Sequence, residues 1–161
     1  MFNVTASFLA AKNDNKEILQ LLLPFIGNKI WKYYFKKCSN LTEITLPPSI
    51  NHLFEGAFYG CTSLMKIELP STLTHIGDMC FEGCSSLTQI TLPSSIIFLG
   101  HSAFKGCNSL KQVKIECSLE IISDFMFQGC TYLCQINIPS STKKIGKSAF
   151  CECSSLKQIT I

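Results

Sequence analysis

Apolar and polar residues follow two rhythms along this chain, and the rhythms alternate. In Ile90-Thr91-Leu92-Pro93, two apolar residues flank a polar one, which is the period-two pattern of a half-buried strand. The proline that follows has no amide hydrogen and stops the strand, so the predicted strand is short. From Ser94 to Gly106, Ile96, Leu99, Ala103 and Phe104 are spaced to suit a turn and a brief helical or 3₁₀ segment closed by glycine.

The alternation recurs every 23 residues without insertion or deletion. Cys38, Cys61, Cys84, Cys107, Cys130 and Cys153 mark the period, and Leu41, Leu64, Leu87, Leu110, Leu133 and Leu156 keep the same phase. So do Ile44, Ile67, Ile90, Val113, Ile136 and Ile159, and a closing Phe at 58, 81, 104, 127 and 150. Gly60, Gly83, Gly106 and Gly129 precede the cysteine. A chain that turns back at a fixed interval is a solenoid. One coil cannot bury its own apolar face, so each coil must cover its neighbour's.

The unit Cys-x-x-Leu-x-x-Ile-x-Leu-Pro, followed by Leu/Ile-x-x-Ile-Gly-x-x-Ala-Phe-x-Gly, resembles the BspA-type (Treponema pallidum-type) leucine-rich repeat. The match runs from residue 38 to 161, with local departures at Glu116 (for proline), Thr142 (for Leu/Ile) and Glu152 (for glycine). The resemblance implies a curved leucine-rich repeat solenoid with a parallel β-sheet on its concave face and turns and 3₁₀ or helical segments on its convex face. It also implies binding to other proteins, as surface antigens and adhesins of this kind do.

Residues 1–37 are read as an N-terminal cap, with two readings of its interior. A degenerate first repeat from about Asn15 places Ile18, Leu21, Leu23, Pro24, Ile30 and Phe35 in phase, with Gly27, Tyr34 and Lys37 as mismatches. Alternatively, residues 5–23 are helical and similar to an ankyrin helix pair, through Thr5, Ala10, Ala11, Ile18, Leu21 and Leu22. At the other end, the last repeat of the 38–161 array is incomplete and leaves Leu156, Ile159 and Ile161 uncovered. The expectation there is either a longer array or self-association through this end.

Composition narrows the chemistry. The net charge of +3, from 14 basic and 11 acidic residues, is too weak a balance to argue for nucleic acid. Ten cysteines suggest disulfides or metal, but six of them are phase markers whose side chains point alike, and these are read as small buried thiols. Cys80 is read as core. Cys151-x-Cys153 lacks a second pair or a histidine to complete a zinc set. His52 and His75 share a phase and are read as neighbouring surface imidazoles, a pairing that can bind metal or respond to pH. No nucleophile elbow, metalloprotease helix, phosphate loop or dinucleotide fingerprint occurs, so neither catalysis nor a cofactor is indicated.

Function is therefore expected on the strand face. Its outward positions are Glu43 and Thr45, Lys66 and Glu68, Gln89 and Thr91, Gln112 and Lys114, Gln135 and Asn137. They form a polar platform for a protein partner, and its glutamine column, continued by Gln158, could also bond to itself as a ladder. Asn3 and Asn40 head glycosylation sequons, and Lys29, Lys32, Lys36 and Lys37 interleave with Trp31, Tyr33 and Tyr34 as a solvated edge. No basic leader precedes the first apolar stretch and no stretch reaches transmembrane length, which favours the cytoplasm, whereas the resemblance favours the cell surface. The reading is a non-enzymatic interaction module, adhesin-like or alternatively an intracellular scaffold.

Overall fold

The computed structural model describes the backbone of residues 2–160 and the side chains from Ala6 to Thr160. Ile161 and the side chains of the Asn3 sequon lie outside that set. Over residues 28–160 the period becomes six stacked coils, each with two strands.

Numbered along the chain, the odd strands have two residues: β1 (Lys29–Ile30), β3 (His52–Leu53), β5 (His75–Ile76), β7 (Phe98–Leu99), β9 (Ile121–Ile122) and β11 (Lys144–Ile145). The even strands are longer: β2 (Glu43–Thr45), β4 (Lys66–Glu68), β6 (Gln89–Leu92), β8 (Gln112–Ile115), β10 (Gln135–Asn137) and β12 (Gln158–Thr160). All pairing is parallel and offset by one period, as in Glu43 opposite Lys66 and Gln89 opposite Gln112. The even strands are the Ile-x-Leu/Ile segments, and Pro47, Pro70, Pro93 and Pro139 follow where they stop.

The second half of each coil departs from the sequence expectation. It forms an odd strand and a run of turns, with no helical or 3₁₀ element from Asn28 onward among the described residues. The hydrogen bonds give the reason. Every second amide points along the stack to the next coil, as from Phe81 to Ala103 O (2.8 Å) and Gly83 to Lys105 O (2.8 Å), while Glu82 and Cys84 bond three residues back to Met79 and Phe81. A helix would turn all these amides along its own axis and leave the neighbouring carbonyls unmet.

The core is a set of ladders. Leu41, Leu64, Leu87, Leu110 and Leu133 are fully buried, and so are Phe35, Phe58, Phe81, Phe104 and Phe127. The phenylalanine rings stack from Phe35 to Phe150 with centroids 5.2–5.6 Å apart. Each ring thus buries its faces on its neighbours, which one coil could not provide.

Residues ahead of the coils are helical: α1 (Phe2–Lys12), α2 (Lys16–Leu22) and a 3₁₀ turn at Leu23–Phe25. Asn15 caps α2 by accepting from the Ile18 amide at 3.1 Å. Ala10, Ala11, Leu19 and Leu23 are buried in the same core as the coils. Asp14 accepts from the Thr42 amide (3.2 Å), and Asn40 donates to Lys12 O (3.1 Å), fastening the hairpin to the first coil. Ile18 and Leu21, in phase with the repeat template, are exposed instead. The coil geometry begins at Asn28, and Ile30 and Phe35 occupy true repeat positions opposite Leu53 and Phe58.

The even strands pair two by two, as β2–β4, β6–β8 and β10–β12, and the odd-strand sheet is interrupted once. β1, β3, β5 and β7 form one sheet and β9 pairs with β11, but β7 and β9 do not pair. At this junction Ser123 stands where Gly77, Gly100 and Gly146 lie against the preceding coil. A Cβ on any of those glycines would come within 2.8 Å of backbone atoms. Ser123 carries that Cβ, and its hydroxyl takes the Leu99 carbonyl at 2.9 Å.

Candidate protein-binding face

Strand alternation positions the candidate residues. In β2, β4, β6, β8 and β10 the second residue is buried and its neighbours face outward, so Glu43, Thr45, Lys66, Glu68, Gln89, Thr91, Gln112, Lys114, Gln135 and Asn137 are all exposed, whereas Ile159 of β12 is itself exposed. The register aligns them in columns one period apart, as in Thr91 opposite Lys114 and Asn137 opposite Thr160. Lys66, Glu68, Gln89, Thr91, Gln112 and Lys114 line an open groove of about 510 Å³.

Charges on this face are satisfied locally. Lys66 pairs with Glu68 at 2.8 Å, Lys114 with Glu116 at 2.6 Å and Lys16 of α2 with Glu43 at 2.9 Å. The Lys16 hydrogen bond holds the Glu43 carboxyl below its ordinary range, and Glu68 raises Lys66 in the same way. Between these pairs lie uncommitted amides and hydroxyls. The expected glutamine ladder does not form: among the described residues no hydrogen bond joins Gln89, Gln112, Gln135 and Gln158, although all four share a column. Their amides are free to bond to another molecule.

The other sequence candidates are placed as follows. Cys61, Cys84, Cys107, Cys130 and Cys153 are buried, and each thiol donates to the phenylalanine carbonyl of the preceding coil at 3.0–3.2 Å. That bond was invisible in the sequence, because its partners lie 26 residues apart. Cys80 and Cys117 are buried, whereas Cys134 and Cys151 are exposed. Lys32 pairs with Glu55 at 2.7 Å, Lys36 lies over the Tyr33 and Tyr59 rings and Lys29 over Trp31, so these three lysines of the cluster are engaged within the protein. A further row, missed by the sequence reading beyond its histidines, runs across the odd strands through Trp31, Phe54, His52, His75 and Phe98. The same 23-residue count would have found it, since Trp31 and Phe54 share one phase and His52, His75 and Phe98 another.

Residues 28–157 match the family model described as the BspA type leucine rich repeat region, in six copies. The chain belongs to the BspA-type leucine-rich repeat family. A leucine-rich repeat protein from Bacteroides ovatus is similar, at 28% identity and a TM-score of 0.64, over 83% of this chain and 40% of that one. The T. pallidum leucine-rich repeat protein follows at 26% and 0.62, over 81% and 72%. A leucine-rich cell surface protein from Faecalibacterium prausnitzii gives 28% and 0.59, over 82% and 42%. The chain thus spans less than half the length of two of these structures. No curated protein matches it. BspA-type repeats are generally protein-interaction modules, and their fold is typically non-enzymatic. Among the described residues no helix of this BspA-type chain is long and apolar enough to cross a membrane.

Proposed function

We propose that this chain binds a protein partner on the even-strand face, through Glu43, Thr45, Lys66, Glu68, Gln89, Thr91, Gln112, Lys114, Gln135 and Asn137, in an adhesin-like role at a cell surface. The observation that carries the reading is the combination of a groove of about 510 Å³ with glutamine amides that no protein group engages. A surface of uncommitted amides and internally neutralised charges suits an extended polar segment, whose backbone donors and acceptors can meet them. The cell-surface part of the reading is supported by the similarity to the F. prausnitzii leucine-rich cell surface protein.

Capture of the partner from the organism's own environment tests the face. Alanine at Lys66, Gln89, Gln112 and Gln135 together is expected to abolish capture while leaving the fold intact by circular dichroism, and unchanged capture would refute the site. Labelling of intact cells with an impermeant amine reagent tests the location. A chain that stays unlabelled in intact cells, yet labels after lysis, would turn the reading to an intracellular scaffold.

A further inference from the structure

His52 and His75 face each other in register across β3 and β5, with ring centroids 4.2 Å apart and planes 10° from parallel. Both Nδ1 atoms are hydrogen-bonded. The Thr74 hydroxyl lies 2.9 Å from His75 Nδ1 and 3.0 Å from the Asn51 carbonyl, which also accepts the Thr74 and His75 amides, so it can serve His75 Nδ1 as acceptor or as donor. The Asn51 side-chain oxygen is an acceptor, so His52 Nδ1 donates to it at 2.7 Å. No protein group engages either Nε2, so each offers a lone pair whenever its ring carries the proton on Nδ1.

The pair lines an open groove of about 250 Å³ with Phe54, Phe98 and Asp78. Phe54 and Phe98 flank the two imidazoles at 5.9 and 6.0 Å. The charges nearby largely cancel. Lys32, in the same groove, is paired with Glu55 at 2.7 Å, Asp78 is anionic, and Lys29 lies opposite His52 in β1.

We propose that His52 and His75 form a two-imidazole site for a late first-row divalent cation, Cu²⁺ foremost, with Ni²⁺ and Zn²⁺ binding more weakly. Neutral imidazole suits these ions, and their affinity order follows the general series for nitrogen ligands. The Nδ1–H bonds to Asn51 and Thr74 supply the outer-sphere anchoring that orients ligating histidines and raises their basicity. With metal–nitrogen bonds of about 2.0–2.1 Å and adjacent ligands at roughly right angles, as Cu²⁺ and Ni²⁺ prefer, the two Nε2 atoms must come to about 2.9 Å, so the nearly parallel rings must tilt toward each other at their outer edges. Among the described residues no cluster of three His, Cys, Asp or Glu side chains forms a fuller ligand set, so the ion keeps positions open to water or to a donor from a bound molecule.

Calorimetric titration with NiCl₂ tests the site, in a chain carrying Cys134→Ser and Cys151→Ser so that exposed thiols do not compete. One ion per chain is expected. Affinity should fall at least tenfold in His75→Phe, a side chain the same column already accommodates at Phe98. Thr74→Val, which keeps both imidazoles but removes the outer-sphere acceptor, should weaken binding roughly tenfold. Nitrogen-resolved NMR of the Zn²⁺-loaded chain should find both rings protonated at Nδ1 and ligated through Nε2. Binding unchanged in His75→Phe, binding lost in His101→Gln instead, or an Nε2–H at either ring of the Zn²⁺-loaded chain would overturn the proposal.

Discussion

The thiol of Cys84 donates a hydrogen bond to the carbonyl of Phe58 in the preceding coil, at 3.2 Å. That carbonyl also accepts the Cys61 amide at 3.1 Å, so the thiol takes its second lone pair. The periodic cysteine is therefore a donor between coils as well as a small core side chain. Cys84→Ala removes the donor and leaves a small void, and it should lower stability by about 1–2 kcal/mol. The urea midpoint measures this, and an unchanged midpoint would mean that the thiol bond contributes nothing.

The same burial predicts alkaline instability. Burial pushes the Cys38 and Cys153 thiols up to about 11, and raises Cys61, Cys84, Cys107 and Cys130 further. Unfolded thiols ionise near pH 8.5, roughly, so stability is fully present below that pH and is lost as pH rises, because the unfolded chain releases protons that the folded chain retains. Each such thiol subtracts about 1.4 kcal/mol per pH unit across that interval. Urea midpoints measured from about pH 7 to pH 10 should fall steeply above pH 9 or so, and a flat profile would contradict the ladder.

Native thiol counting gives an independent check. Cys134 and Cys151 are exposed and the remaining cysteines are buried. A maleimide at neutral pH should modify these two rapidly and the others only on unfolding. Rapid modification of Cys84 or Cys107 would show that the coils are looser than the packing described above.

Gly100 lies so close to the preceding coil that an added Cβ would meet the backbone of Gly77 and Asp78. Gly100→Ala should therefore break pairing between β5 and β7 and lower thermal stability by several degrees. Ser123→Gly makes the opposite change at the junction where pairing is already interrupted. It should slow amide exchange at residues 121–123, and exchange as fast as in the parent chain would mean that another feature separates β7 from β9.

Ser102 and Ser148 adopt left-handed backbone, with φ of 55° and 52°, at the position where the second coil carries Gly56. An L-residue is strained there and glycine is not. Ser102→Gly should stabilise the chain by about 1 kcal/mol, seen as a higher midpoint in denaturant, and a loss of stability would argue against strain at this turn.

Much of this architecture is legible in the sequence because a fixed period makes every in-phase residue a neighbour in space. The leucine, phenylalanine and cysteine ladders and the outward strand positions all follow from counting 23. The turns after each odd strand were not legible, because Ile96, Leu99, Ala103 and Phe104 fit a helix locally, while alternate amides of the turn, those of Ser102, Phe104 and Gly106, answer to carbonyls one coil away. Ile18 and Leu21 match the template by coincidence: the strong helix propensity around them prevails and leaves both exposed. Lys37 and Glu152 lack the expected glycine but keep its left-handed conformation, at φ 56° and 62°, and the Lys37 amide is held by the Tyr59 carbonyl of the next coil at 2.7 Å. On the candidate face, position was legible and bonding was not, as the free glutamines of the column illustrate.

The central claim is that the partner sits on the even-strand face. Its most direct test is quantitative binding to the captured partner by two folded variants, Gln89→Arg with Gln112→Arg on that face and Ile97→Arg with Ile121→Arg on the odd-strand side. All four residues are exposed, so charge is introduced without disturbing the core. The first variant should bind more than a hundredfold more weakly and the second within about twofold of the parent, differences of roughly 3 and 0.4 kcal/mol. The reverse order, with the isoleucine variant losing binding and the glutamine variant retaining it, would contradict the account.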